Sequence, residues 1–483
     1  MFNHFDVRAL DRARISRDAR FDGKFFIAVK TTGIYCRPIC PSRTSNSRNV
    51  SYYPTAAAAA EAGFRPCLRC RPEAAPGTPA WMGTSAVVRR ALRLIDEGML
   101  DNASVDELAS KLGLGSRHLR RLFLQHVGAS PISFAQTRRL QFAKRLLDET
   151  NLPITQIALA SGFGSLRRFN TAFLQTYGRA PRDLRKHLNE GTDADGEVIL
   201  KLAFRPPYDW KQVHDFLLGH HTPGVERIDE QGYSRTLRTQ DGFSVVNVKP
   251  LLNEAAFELR VSGAAPTSLF NISSAARRVF DASADPALTM FALRTDPLIG
   301  PGVEQRPGLR IPGEWDPFEC AVRAILREEG QDSAQTLMAH VVDRFGEKVN
   351  KYGFALTSLF PTPSAIADGN FAGLCISRSR INTLRKLAQA VVDRAMDFSA
   401  PSECVIEALT KVPGIDRSMA EYVALRALGE PDAFPSNDLV LRLMASNTDR
   451  PLSAEQLEAR SEAWRPWRGY AALHLWCATE SRS

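Results

Sequence analysis

Apolar residues recur at three-and-four spacing from Ala86 onward in VVRRALRLIDEG, the period of a helix with one buried face. The next stretch, SVDELASKLGLGSRHLRRLF (104–123), predicts two short helices. Ser104 caps the first, Gly113 and Gly115 make a tight turn, and Ser116 caps a second, Arg-rich helix. ITQIALASGFGSLRRFNTAF (154–173) repeats the pattern, and FLQHVGASP at 123–131 returns as FLQTYGRAP fifty residues later. ISFAQTRRLQFAKRLLDE predicts the helix that links the two copies. Beyond residue 197 the period shortens to two in EVILKLAF, VERIDE, YSRTLR, FSVVNV and FELRVS, which predicts an antiparallel sheet. A helix from about Trp210 to His220 interrupts it, and from about residue 268 the chain reads as helices to its end. Within that run, LTKVPGIDRSMAEYVALRAL (409–428) predicts two helices joined by a glycine turn at Pro413–Ile415.

A helix pair with a tight turn, the second member rich in arginine, is a helix-turn-helix whose second helix enters the major groove. The chain has 483 residues, so three or four domains are expected. AAPGTPAWMGT (74–84) and the acidic NEGTDADGE (189–197) mark linkers. No apolar run approaches the ~20 residues needed to span a membrane, and MFNHFDVRALDRAR lacks a signal-peptide core. The expected compartment is cytoplasmic and reducing, with no membrane partner. Charge is divided unevenly. Residues 1–190 carry 30 Lys and Arg against 15 Asp and Glu, and the remainder 32 against 38. A basic N-terminal part suits a region that holds a DNA backbone.

Cys36 and Cys40, then Cys67 and Cys70, are two short-spaced thiol pairs, the usual way to offer zinc four sulfur ligands. Spacing alone favours a purely structural zinc ribbon. A disulfide pair suits the chain less, because nothing marks it as secreted. Cys320, Cys375, Cys404 and Cys477 are scattered singly and read as bystanders.

The residues around these thiols, TTGIYCRPICPSR, NVSYY and GFRPCLRC, closely resemble the N-terminal domain of Ada-type adaptive-response regulators. The resemblance implies that Cys36 accepts a methyl group from a methylated DNA phosphotriester while Cys40, Cys67 and Cys70 remain zinc ligands. Loss of one negative charge on methylation would then strengthen phosphate binding. The tandem helix-turn-helix resembles the AraC/XylS class. It implies Arg117, His118, Arg120, Arg121, Arg167, Arg168 and Asn170 as DNA contacts; for each alone, a solvated helix face is an equal reading. FRPPYDW (204–210), RPGLRIPGEWDPFECAVRAIL (306–326) and WRPWRGYAALHLW (464–476) match AlkA-type alkyladenine DNA glycosylases of the helix-hairpin-helix superfamily. By that match Asp438, in AFPSNDLVLRLM, takes the place of the active-site aspartate. Hairpin amides around Gly414 grip a phosphate, and Tyr422 and Trp476 line the pocket for the flipped base. Core packing is the common alternative for either aromatic.

Ser418 stands where bifunctional members carry a Schiff-base lysine, implying hydrolysis without strand cleavage. Departures from the pattern are Asp416 for the second hairpin glycine, Ser418 where monofunctional relatives usually carry Trp, Leu439 where an aromatic follows the aspartate, and Glu329 in the wedge segment Leu326–Gln331; the trio Glu329, Asp416 and Ser418 divides an active glycosylase from a weakened one. No PCHR-like motif occurs, so a domain repairing O6-methylguanine is not expected.

The expected fold is multidomain α+β. It comprises a four-cysteine zinc domain (1–75), an all-α tandem helix-turn-helix domain (85–188), a small antiparallel sheet with helices (197–268), and an all-α helix-hairpin-helix glycosylase domain (269–483). The expected function is alkylation repair and response: excision of 3-methyladenine-type bases, methyl transfer to cysteine, and transcriptional activation. The implied partners are double-stranded DNA, alkylated and promoter, and RNA polymerase. The alternative is an alkylation-sensing regulator whose glycosylase-like half is catalytically weakened.

Overall fold

A computed structural model describes residues 6–77, 86–185, 197–240, 242–327, 334–349, 356–446 and 450–478. Most of both linker stretches and Glu329 lie outside the described residues. Contacts divide the chain into two compact units, residues 1–206 with 251–277 and 282–284, and residues 207–250 with 278–281 and 285–483.

The first unit opens on a four-stranded sheet, β1 (Phe26–Val29), β2 (Ile34–Cys36), β3 (Val50–Tyr53) and β4 (Arg65–Pro66), in the order β3-β1-β2-β4. β1 is antiparallel to β2 and β3, and β2 runs parallel to β4. An alanine-rich helix, Ala56–Glu61, packs Ala56 and Ala59 on Phe26, Ala28 and Tyr35. Its cap, Thr55, accepts from Ala58 N and donates to Val127 O at 2.9 Å, which ties the sheet domain to the helices that follow.

Those helices form two matched pairs, Val105–Lys111 with Ser116–His126 and Ile154–Ala160 with Leu166–Tyr177, joined by Pro131–Glu149. Ser104 caps the first through a capping box with Glu107. Ser116, expected as a cap, is instead the first helical residue. The extended Gly115 (φ −77°, ψ 145°) holds the N-cap position, so no side chain caps this helix. The fifty-residue repeat makes Leu119 and Phe123 the counterparts of Phe169 and Phe173, and all four are buried. The linking helix buries charge as well as carbon. Lys144 Nζ lies 2.6 Å from Asp148 Oδ2, and Arg71, next to Cys70, lies 2.9 Å from the same carboxylate. Strands β5 (Val198–Ala203) and β9 (Ala256–Ser262) pair antiparallel in this unit. The linking helix holds β5, with Arg145 donating to Lys201 O at 2.6 Å. Buried Arg205 donates to Asp22 O, to Ser283 O at 3.0 Å, and to Gly77 O.

In the second unit, β6 (Glu226–Asp229), β7 (Gly232–Thr239) and β8 (Gly242–Leu251) pair antiparallel in sequence order. The preceding helix spans Trp210–His220 as expected. The helical core gathers Cys320, Val322, Ile325, Leu384, Leu387, Leu409, Val423 and Leu425, each nearly inaccessible. Three arginines and three glutamates are buried together beside it. Arg235 meets Glu226 at 3.1 Å and Glu319 at 2.7 Å, while Arg323 reaches Glu319 and Glu314 at 3.3 Å. Arg426 lies 3.7 Å from Glu314. Equal numbers of opposite charges make this burial tolerable, since an unpaired one would cost several kcal/mol. Helices Ser402–Thr410 and Arg417–Arg426 form the hairpin. At its turn Gly414 has φ +95°, and a Cβ there would stand 2.1 Å from Thr383 Oγ1. Thr383 Oγ1 donates to Pro413 O at 2.9 Å, so the close approach pins the turn to a neighbouring helix.

Asp281 accepts from Tyr470 Oη at 2.6 Å and Ile311 N at 3.3 Å, yet burial raises its pKa from 3.8 to about 6. A carboxyl raised in the folded state contributes stability below pH 3.8 that is lost as pH rises through 6. Between about pH 4 and 6 the second unit is therefore expected to lose up to roughly 2–3 kcal/mol from this group. Urea titration of Asp281→Asn beside the native chain checks it: the difference between them should narrow as pH falls.

Candidate functional site

Cys36 ends β2 and Cys67 follows β4, so the parallel pairing brings two sulfurs to the same end of the sheet. Cys67 N donates to Tyr35 O at 2.9 Å, which sets that register. A turn closed by Cys40 N on Arg37 O carries the third thiol, and one closed by Arg71 N on Cys67 O carries the fourth. Arg37 N donates to Cys70 Sγ at 3.3 Å, and the Arg37 side chain is clamped between Asp22 and Cys70 O. All four sulfurs lie within 4.8 Å of one another; Cys67 and Cys70 are buried, Cys36 and Cys40 half-buried. A tetrahedral site with ~2.3 Å zinc–sulfur bonds has sulfur–sulfur edges of about 3.8 Å, so the donor set and its spread fit zinc. Cys320 and Cys477 are buried and Cys375 and Cys404 exposed, each apart from the cluster.

On the second helices of the two helix-turn-helix pairs, Arg117, His118, Arg120, Arg121, Arg167, Arg168 and Asn170 are all exposed. The repeat sets Arg117 level with Arg167, His118 with Arg168, and Arg120 with Asn170. Arg121 Nη2 lies 3.2 Å from His118 Nδ1.

Asp438 is the N-cap of helix Leu439–Met444 and accepts from Leu441 N at 3.0 Å. The same oxygen accepts from Trp476 Nε1 at 3.3 Å, on the last helix. The other oxygen faces Arg327 Nη2 at 3.7 Å, and the carboxylate is largely covered, at 15% exposure. Tyr422 is buried, and its hydroxyl accepts from Arg426 Nη1 at 2.9 Å. Its ring carries the Arg327 guanidinium 5.2 Å from the centroid. Trp476 thus meets Asp438 directly, and Tyr422 joins them through Arg327. Gly414 belongs to the hairpin turn, and Leu439 is exposed. Sequence reasoning missed Arg327 and Arg426. The first lay in the LREEGQ run already singled out, but nothing in that run signals what its guanidinium touches.

Asp416 proves to be the N-cap of the second hairpin helix, accepting from Met419 N at 2.8 Å. Its departure from glycine therefore has a structural use, satisfying an amide at the helix start.

Residues 9–73 match the metal-binding domain of Ada, 108–187 a helix-turn-helix domain, and 199–316 the AlkA N-terminal domain. Over 99% of its length the chain is 38% identical to a probable bifunctional transcriptional activator/DNA repair enzyme AlkA of Mycobacterium tuberculosis, covering 97% of that protein. The chain belongs to this family of bifunctional activator/repair enzymes. Over 57% of its length it is 29% identical to DNA-3-methyladenine glycosylase 2 of Escherichia coli, covering 95% of that protein. Over 36% it is 33% identical to the bifunctional activator/repair enzyme AdaA of Bacillus subtilis, covering 81% of it. Like its family, the chain is a DNA repair enzyme joined to a DNA-binding regulator, and zinc is the cofactor of its first domain. Among the described residues no helix is long and apolar enough to cross a membrane.

One zinc per chain is expected by metal analysis. Cys67→Ser or Cys70→Ser should release it and unfold residues 6–75, because structural zinc supplies ~10 kcal/mol or more of folding energy. Circular dichroism and limited proteolysis read that loss; full zinc retention by both variants would refute the ligand set.

Proposed function

We propose that Asp438 excises alkylated purines of the 3-methyladenine type, and that Cys36 takes methyl groups from DNA phosphotriesters. One observation carries the first reading: Trp476 Nε1 and Leu441 N both hold one oxygen of a largely covered Asp438. A carboxylate oriented in this way stabilises positive charge growing on the sugar and aligns an attacking water. The C1′–N bond breaks with its electron pair going to the base. Water supplies the oxygen that joins C1′, and its proton leaves to solvent. Tyr422 and Trp476 are the surfaces on which a base flipped from the stack would lie, and amides of the turn at Gly414 would hold the adjacent phosphate. Ser418 in place of a lysine leaves no amine for a Schiff base, so the product is an abasic site in an intact strand.

At the other site, Cys36 Sγ attacks the methyl carbon of a phosphotriester. The carbon–oxygen bond breaks, and the diester leaves with the electron pair. Zinc supplies a thiolate at neutral pH. Arg117, His118, Arg120, Arg121, Arg167, Arg168 and Asn170 would bring a promoter to the regulator, with RNA polymerase as its downstream partner in the cytoplasm. Their joint exposure on two repeated helices supports that assignment.

The competing reading, a regulator with a weakened glycosylase half, drew on Glu329, Asp416 and Ser418. It loses force because Asp416 caps a helix, and because the likeness to the activator/repair enzyme runs the full chain.

Base release from methylated duplex DNA should be present in the native protein and abolished in Asp438→Asn. Asp416→Asn keeps the cap but removes a charge from the phosphate grip, so release should rise roughly 5- to 30-fold, equivalent to ~1–2 kcal/mol. Absence of release above the Asp438→Asn background would overturn the excision reading. Mass spectrometry after exposure to phosphotriester-containing DNA should find one methyl group, on Cys36, without turnover. A methyl found only on Cys320, Cys375, Cys404 or Cys477 would overturn the transfer reading.

A further inference from the structure

Arg205 follows β5, inside the stretch that matches the AlkA N-terminal domain, yet its guanidinium serves the zinc domain. The side chain is buried, and each of its nitrogens donates to a backbone carbonyl. Nε reaches Asp22 O at 3.2 Å and Nη1 Ser283 O at 3.0 Å. Nη2 reaches Pro76 O at 3.4 Å and also Gly77 O. Asp22 lies early in the zinc-binding match of residues 9–73, and Pro76 lies just past its end, so one side chain fastens both. Gly23, at φ +71°, makes room for this. A Cβ there would collide with Pro76 O and stand 2.9 Å from Arg205 Nη2.

Asp22 passes the constraint on. Its carboxylate accepts from Arg37 Nε at 2.8 Å and from Arg37 Nη2. Arg37 Nη1 donates to Cys70 O at 3.0 Å, Arg37 N to Cys70 Sγ at 3.3 Å, and Arg37 O closes the turn that carries Cys40. The path from Arg205 to the thiols is therefore short: the main chain of Asp22, its carboxylate, then Arg37. Removal of Arg205 takes the donor from four carbonyls at once and leaves Asp22 free to shift. Groups that hold metal ligands from behind fix their direction, and losing one commonly weakens metal binding roughly 10- to 100-fold.

We propose that Arg205 is a positioning residue of the zinc–thiolate site. A side chain of the repair half sets, through Asp22 and Arg37, the geometry in which Cys36, Cys40, Cys67 and Cys70 meet the metal. The methyl-accepting domain of this chain is thus completed by a residue of the domain fused to it, and a change at Arg205 alters methyl capture as well as zinc retention. The effect on methyl capture rests on Cys36 as the acceptor; the effect on zinc does not.

The test uses the full-length chain loaded with zinc, or with cobalt(II), whose visible spectrum reports a tetrahedral thiolate site. Zinc release to a chromogenic chelator should be about ten-fold faster in Arg205→Met than in the native protein, with the cobalt(II) bands shifted. Asp22→Asn should also speed release. Because both act along one path, the double variant should fall short of the product of the two effects. Arg205→Lys keeps the charge but gathers its donors on one nitrogen, so it should fold even where Arg205→Met does not, and still release zinc faster than native. Arg138→Met controls for general loosening. Arg138 also bonds the repair half, donating to Asp96 O at 2.7 Å and to Ser274 Oγ at 3.1 Å, so its loss should lower the urea midpoint and leave zinc release alone. A native release rate in every folded Arg205 variant, equal acceleration in Arg138→Met, or strictly multiplicative effects of Arg205→Met and Asp22→Asn each overturn the proposal. Methyl transfer from phosphotriester-containing duplex to Cys36 should slow in Arg205→Met. If the native protein takes up no methyl group, the Cys36 reading falls and the zinc measurements still decide this inference.

Discussion

Four thiols with sulfurs no more than 4.8 Å apart cannot all ionise unless a cation sits among them. The N-terminal sheet is organised around that constraint. The parallel pairing of β2 with β4 exists to lay Cys36 beside Cys67, and the two turns that follow supply Cys40 and Cys70. Arg37 and Asp22 then brace the turn from behind. Arg71, the residue after the last thiol, binds the buried Asp148 of the helix that joins the two DNA-reading pairs.

The same rule governs the second unit, on a larger scale. Glu226, Glu314 and Glu319 are buried with Arg235, Arg323 and Arg426, and the chain of pairs ends at the hydroxyl of Tyr422. Removal of one member would leave an uncompensated charge in a medium that solvates it poorly. The Tyr422 ring is therefore held in place by a network whose members cannot be altered singly at low cost. Asp438 is oriented by different means, an indole N–H and a helix amide, so its position does not depend on that network.

Much of this was legible in the chain itself. Spacing of Cys36, Cys40, Cys67 and Cys70 announced a metal site, and the fifty-residue echo announced paired helices with their arginines outward. The bounds of Trp210–His220 and the capping box at Ser104 follow from contacts within a few residues, which periodicity and cap chemistry report directly. A local signal misled once, at Ser116, where an extended glycine already occupied the cap position.

Tertiary structure alone decided what the charged residues do. Arg327 and Asp438 lie on different elements far apart in sequence, and so do Arg235 and Glu319, or Arg145 and Lys201. No period or spacing links such partners, because their meeting depends on how distant elements pack. Asp416 makes the point within a single turn. In sequence it is a charge where a glycine was expected, and only the fold gives its carboxylate an amide to hold. Sequence by itself thus determined the modules, the thiol set and the position of Asp438. The folded chain determined the electrostatic surroundings of that carboxylate, since those arise from long-range pairing of charges that local pattern does not encode.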